Sequence, residues 1–504
     1  MKKFNIIIVI VLLFVTGCTK DFESINTNPN SPDQLTSPGL LLPNVIRGAV
    51  NSHLMNSYNR GSVAADLVAE DYASNFSNWV RADATSYFYW NFYDHIRDLN
   101  EVISIAEEKN LPNYKGVALV LRSWLFQCLT DMYGPIPFRE SSNAKLNGIV
   151  KPVYEQQEAV YAGILADLEE ANMLLGSTGE IVVGDILFNG NTTNWKKFAN
   201  GLSLRLLLRQ SGRVDPSAKM KEIVGNASKY PLFTSNQDQA ALQYIADRPE
   251  NESPFYRSGN GGTNTKASKN LVDYLQGMND PRLLVYTLPT PASANSGTFE
   301  YKGALNGENT LIDPENYSPT GMMWMSIQYA PELASTNAPQ GIILSYSEVQ
   351  FILAEAAEKG YIDGGSPAAE TYYLNGIKDQ FTYYSGRIPS NYASSYLALD
   401  PADVIPPDSY YTQAAVAYGG NANEKLEKIW LQKWLSLYLV GYEAWSEYRR
   451  TGFPEIVPGP VSPGYIPSRM VYPADEMRIN EQNYQQAVNW LGTDDLESHV
   501  WWDN

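Results

Sequence analysis

This 504-residue chain is short of cysteine, histidine and basic charge, and each shortage excludes something. It holds two cysteines, Cys18 and Cys128, so at most one internal disulfide could form, and none if either is used otherwise. The three histidines, His53, His95 and His499, lie far apart, and no H-E-x-x-H occurs, so no zinc site is expected. There is no G-x-S-x-G nucleophile elbow and no phosphate-binding P-loop. After the first 20 residues no run is long and apolar enough to cross a bilayer, which takes roughly 20 residues. Lys and Arg number 37 against 55 Asp and Glu, a formal charge of −18. A body this acidic is a poor partner for nucleic acid or anionic lipid.

The first residues read as a targeting signal. Lys2 and Lys3 precede an apolar run from Ile6 to Val15, too short to span a membrane. The run ends Val15-Thr16-Gly17-Cys18, which looks like a bacterial lipoprotein box. In such a box the cysteine thiol takes a diacylglyceryl group and becomes the new N-terminus. With two or more acyl chains, each buried CH₂ contributing about 0.8 kcal/mol, such an anchor is stable. The sequence therefore divides into a signal peptide (1–17), a lipidated start and tether (18–37) and a body (38–504). The tether stretch DFESINTNPNSPDQL is rich in Asn, Pro, Ser and Asp. Asn26, Asn28 and Asn30 alternate as in a calcium loop, but the glycine and closing glutamate of such a loop are missing. No metal and no cofactor are expected.

The body reads as helices joined by irregular loops. Val117, Ala118, Leu121, Trp124, Leu125, Cys128, Leu129 and Met132 form one stripe at helical spacing, stopped by Gly134 and Pro135. Further stripes run from Val160 to Leu175, from Trp195 to Leu206, from Val349 to Ala357, and from Leu426 through Trp430, Trp434 and Gly441 to Trp445. Ala354, Ala356 and Ala357 suit close helix pairs of the tetratricopeptide kind, although no clean 34-residue period is present. Between about 228 and 345 the stripes disappear, and Gly, Asn, Ser, Thr and Pro crowd in. The residues by themselves point to a mostly α body, with helical stripes within 38–227 and 346–504 and a loop-rich irregular stretch over about 228–345. Long loops on a scaffold commonly carry function.

Several segments then match a known family in order and spacing. They are the lipobox at 15–18, INTNPNSP at 25–32, LTDMYGPIPF at 129–138 and SYSEVQFILAEAA at 345–357. EKIWLQKWLSLYLVGYEAWSEYRRTGFP at 427–454, RMVYPADEMRINEQNY at 469–484 and WWD at 501–503 complete the set. The chain resembles the SusD/RagB-like nutrient-binding lipoproteins over nearly its whole length. The resemblance implies a mostly α fold, with tetratricopeptide-like helix pairs forming a scaffold and a loop-rich irregular second lobe, in a non-enzymatic, outward-facing lipoprotein of the outer membrane. It also implies a partner, a SusC-like TonB-dependent transporter, to which a captured nutrient is delivered. Lys20-Asp21-Phe22-Glu23 loosely matches the family's signal for export to the outer face.

The notable resource for binding is aromatic: 34 Tyr, 11 Trp and 16 Phe. A flat ring covers the C–H face of a sugar, while Asn, Asp or Arg side chains hold its hydroxyls. Most rings should still be core. Trp124, Trp195, Trp430, Trp434 and Trp445 lie on helical stripes, Tyr133 and Phe138 flank a Pro-rich turn, and Arg449 and Arg450 should cap a helix or pair with acids. Aromatics off the stripes are better ligand candidates: Trp79 beside Arg81, Trp324 with Tyr317 nearby, and Tyr256 before a glycine-rich stretch. For each of them, burial or a partner contact competes with ligand contact. A glycan is the leading ligand and a peptide the alternative. A surface glycosidase is the alternative of another class, since two facing carboxylates suffice for that chemistry and 55 acids are present.

Overall fold

The computed structural model of the chain describes residues 37–70, 89–245, 248–255, 265–308, 312–321, 340–390, 392–393, 397–462 and 464–503. The signal segment and almost all of the tether, including Cys18, lie outside these residues. Among the described residues no helix is long and apolar enough to cross a membrane.

The scaffold is built from antiparallel helix pairs. Helix α1 (Leu42–Asn56) runs on through a π turn, Ser57–Gly61. Next come α2 (Phe92–Glu108), α3 (Pro112–Tyr133), α4 (Gln157–Leu174) and α5 (Thr192–Arg209). After the lobe follow α6 (Tyr346–Glu358), α7 (Gly365–Ser385), α8 (Ala422–Ser436), α9 (Gly441–Thr451) and α10 (Glu481–Leu491). Local chemistry sets their ends. Pro112 opens α3, and Gly134 closes it at φ +80°, a conformation that costs any other residue a steric penalty. The Asn191 side chain accepts from two free amides of α5, Ser345 caps α6, and Asn421 with Glu424 forms a capping box on α8.

Packing follows the stripes. Neighbouring helices pair as α2 with α3, α3 with α4, α4 with α5 and α6 with α7. In the last pair Ala354, Ala356 and Ala357 are buried, and Gly376 meets the Phe351 ring so closely that a Cβ would sit 2.8 Å from it. Trp124, Trp195, Trp434 and Trp445 are fully buried, as is Cys128, whose thiol is pushed well up by burial. Tyr133 and Phe138 are buried at the turn they flank. Trp430 is only half-buried, with the Lys359 ammonium 5.6 Å from its ring.

Two sequence expectations need correction. The stripe from Leu426 to Trp445 is two helices, α8 and α9, broken at 437–440. The break seats Gly441 against Ser62, where an added Cβ would lie 2.6 Å from the Ser62 Cα. The lobe is also not free of helices. Lys269–Gly277 forms one, with Leu271, Val272 and Leu275 buried in the same hydrophobic core as the scaffold.

Strands are few and short. β1 (Val68–Glu70), outside the lobe, pairs antiparallel with β3 (Thr265–Ala267) of the lobe, and within the lobe β2 (Ala240–Gln243) pairs with β4 (Gln340–Leu344).

Candidate functional site

Inside the scaffold lies a charge network with three helices contributing pairs at i and i+4. Arg205 and Arg209 come from α5, Gln127 and Asp131 from α3, Glu443 and Glu447 from α9. Arg209 reaches Asp131 (2.7 Å), Glu443 (2.5 Å) and Glu447 (3.3 Å), and Arg205 reaches Glu348 (2.7 Å) and Glu443 (3.3 Å). Arg450 extends it to Glu355 (2.6 Å), with Lys359 (2.8 Å) on the same carboxylate. Burial pushes the Glu355 carboxyl up, and the Arg450 and Lys359 charges more than reverse this, holding it at about 2. Arg449, stacked on Trp445 and Trp502, donates to the carbonyls of Asp131 and Ser468. Most of these charged groups are buried and paired with one another, so they hold the scaffold together.

The one ligand candidate within the described residues, Tyr317, lies in the lobe. Trp79, Arg81, Tyr256 and Trp324 fall outside the described residues; Tyr317 falls within them. The chain enters the segments carrying the first four at defined points, and these points meet. Segment 71–88 is entered from Glu70, segment 256–264 runs between Phe255 and Thr265, and segment 322–339 is entered from Gly321. Glu70 pairs with Thr265 across β1 and β3, and the Thr320 amide donates to the Thr265 carbonyl (3.4 Å). Tyr58, at the end of α1, ties these roots together. Its hydroxyl bonds to Thr265 and lies 3.3 Å from the Thr320 hydroxyl, and its ring meets Phe255 edge-on at 5.0 Å. The Gly321 amide points at the Tyr438 hydroxyl (3.3 Å), and an added Cβ at Gly321 would strike the backbone of Val285 and Tyr286.

Tyr317 sits beside these roots. Its ring packs on a small separate apolar cluster of Ala69, Ala304 and Ile312, so β1 buttresses it directly. It lines an open cavity of about 560 Å³ with Tyr301, Lys302, Glu300, Asp313, Asn316 and Thr290. The Lys302 backbone is pinned by exchange with Ser318, and its ammonium lies 4.5 Å from the Tyr317 ring centre. Asp313 is fixed by the Glu315 amide and the Asn316 side chain, which hold its carboxyl below the usual range. The result is two tyrosines and a lysine beside acceptor and donor groups, an arrangement that suits a polyhydroxylated ligand.

Further groups escaped sequence reasoning. Tyr58, Thr265 and Thr320 carry no local signal, because their meeting is a product of long-range pairing. The Arg and Glu pairs at i, i+4 inside apolar helices were visible and would have announced the ionic network.

The comparisons agree with this architecture. Residues 29–473 match the family model SusD-like_2, described as starch-binding associating with outer membrane. An outer-membrane protein of Bacteroides vulgatus, described as concerned with nutrient binding, is 27% identical. That match covers 93% of this chain and 100% of the other, with a TM-score of 0.78. A SusD homologue of Bacteroides fragilis is 26% identical over 93% of this chain and 99% of its own, at a TM-score of 0.77. A chitin-binding protein, also 26% identical, covers 93% and 99%, at 0.74. No curated protein matches the chain. With its helix-pair scaffold, its irregular lobe and a match across most of its length, the chain belongs to the SusD-like family of outer-membrane-associated nutrient-binding proteins.

Proposed function

We propose that the chain is a lipoprotein of the outer membrane, anchored through Cys18 and facing the exterior, that captures an oligo- or polysaccharide. It passes this ligand to a SusC-like TonB-dependent transporter and does no chemistry on it. The observation that carries the reading is the convergence of Glu70, Thr265 and Gly321 around Tyr58, next to the Tyr317 cavity. From this one place the chain runs into every segment holding a sequence-predicted aromatic candidate: Trp79 with Arg81, Tyr256 and Trp324. In this reading their rings stack on sugar faces, while Tyr317, Asn316 and Lys302 hold hydroxyls at the edge. The starch-binding description of the family and the chitin-binding relative favour a glycan over a peptide.

The test is a parallel screen of the purified full chain, in a detergent without sugar head groups, against glycan and peptide panels. Binding to a glycan with no release of reducing ends is expected. Binding to peptides alone would replace the ligand class, and released reducing ends would mark a glycosidase. For the partner, affinity purification from gently solubilised outer membranes should recover a second protein of β-barrel size. Recovery of this chain alone would count against delivery to a transporter.

A further inference from the structure

A second cavity, of about 180 Å³, shares no lining residue with the Tyr317 cavity. Trp90, Tyr93, Pro137, Ser142, Pro152 and Glu476 line it. Trp90 is half-buried, and tyrosines fix its ring from several sides. Tyr93 and Tyr133 meet it edge-on, each at 5.1 Å, Tyr472 meets it at 6.1 Å, and Tyr154 stacks at 6.4 Å. Three of those rings are themselves locked. Tyr93 donates to the Pro137 carbonyl (2.8 Å), Tyr472 to the Pro135 carbonyl (2.6 Å), and Tyr154 to the Glu476 carboxylate (2.7 Å). A ligand that stacks here meets a surface already in place, so little ordering cost is charged against binding.

The polar groups around the ring have one character. The Ser142 hydroxyl spends its proton on the Tyr93 carbonyl (2.9 Å), which leaves its lone pairs outward, and Glu476 is an acceptor as a carboxylate. Among the described residues no Lys, Arg or His lines the cavity to balance an anion. Burial pushes the Glu476 carboxyl up from its ordinary range. On the segments that carry Pro152 and Glu476, Val150, Val153, Met477 and Ile479 are exposed, from 43% to 73%. Asn480 and Asn483 pin the two segments that carry them, by bonds to the Pro152 carbonyl of 2.9 and 3.1 Å. Exposed apolar surface gathered around a rigid aromatic pocket marks a contact site.

We propose that this cavity is a second carbohydrate-binding place. It takes one neutral pyranose ring against Trp90, with ring hydroxyls donating to Glu476 and Ser142. It rests on the reading of the chain as a glycan binder.

The test uses the full chain labelled with 5-fluorotryptophan and observed by fluorine NMR in a sugar-free detergent. The Trp90 line is assigned from Trp90→Phe, and the Trp79 and Trp324 lines from their own Phe variants. Methyl glycosides of glucose, galactose and N-acetylglucosamine are titrated, and tetramethylammonium serves as the cationic probe. A saturable shift of the Trp90 line by at least one glycoside is expected. Trp79→Ala should leave it unchanged, and Glu476→Gln should weaken it about fivefold, the loss of a charge-assisted hydrogen bond. Ser142→Ala, at the rim, should also weaken it. If glycosides move the Trp79 or Trp324 lines and never the Trp90 line, this proposal falls while the main reading stands. If no line moves with any glycoside, both fall for these sugars. A Trp90 shift with tetramethylammonium alone would make the cavity an amine cage and overturn the proposal.

Discussion

Arg209→Met removes the hub of the buried network while keeping most of the side-chain volume. It leaves Asp131, Glu443 and Glu447 short of a cation they now meet at 2.7, 2.5 and 3.3 Å. Arg205 still neutralises Glu443 in part, and Lys433 (2.9 Å) and Arg450 (2.7 Å) do the same for Glu447. Asp131 loses its ion pair with Arg209 and keeps neutral donors, among them Trp502 Nε1 at 2.8 Å. Breaking a buried pair from one side costs about 3–5 kcal/mol, because the partner stays buried and uncompensated. Unfolding entropy is about 2.1 cal mol⁻¹ K⁻¹ per residue, so roughly 1 kcal mol⁻¹ K⁻¹ for a body spanning 38–504, and the melting temperature should fall by about 3–5 °C. Differential scanning calorimetry at neutral pH is the assay. The matched control is Lys269→Met, whose partner Asp273 is about half exposed. That change should stay within about 1 kcal/mol, the range for surface pairs. Equal small shifts for Arg209→Met and Lys269→Met would refute the claim that this network holds the helices together.

Other outcomes follow from named contacts. Gly61→Ala would put a Cβ 2.6 Å from the Tyr442 Cα, backbone that cannot swing aside, so a loss of about 1–3 kcal/mol is expected in chemical denaturation. Burial holds His53 neutral, its pKa lowered to about 4 from 6.5 against an opposing pull from Glu443. The unfolded chain therefore takes up a proton between pH 6.5 and 4 that the folded chain refuses. Its contribution is complete above pH 6.5 and declines by about 3 kcal/mol as the pH falls to 4; His53→Phe should flatten that part of the stability-versus-pH curve. Cys18→Ala should shift the protein out of the membrane fraction on cell fractionation, and unchanged membrane association would remove the lipid anchor from the account.

The scaffold was largely legible because apolar residues recur at helical spacing, even in helices such as α3 that are buried nearly all round. The stripes through Trp124, Trp195 and Val349 read directly as α3, α5 and α6. The split of α8 from α9 was not legible, since Leu426, Trp434 and Trp445 keep helical spacing across a break set by the approach of Gly441 to Ser62. The helix Lys269–Gly277 was overlooked in a polar lobe, although Leu271, Val272 and Leu275 are spaced for one. Arg450 pairs with acids as expected, meeting Glu355 and Glu447, whereas Arg449 donates to the carbonyls of Asp131 and Ser468. Site residues were harder. Tyr317 was named only from its place near Trp324 in the irregular lobe, and the meeting of Glu70, Thr265 and Gly321 depends on β pairing between distant segments that no local pattern encodes.

The most direct test of glycan capture is calorimetric titration of a screened glycan into Trp79→Ala and Trp324→Ala, with melting temperatures recorded alongside. A stacked ring contributes about 1–3 kcal/mol, so each change should weaken binding by roughly 5- to 150-fold with little loss of stability. Trp124→Ala, in the fully buried core, is the opposite control and should cost about 3–5 kcal/mol of stability. Unchanged affinity together with a large melting loss at both Trp79 and Trp324 would place those rings in packing and contradict the account.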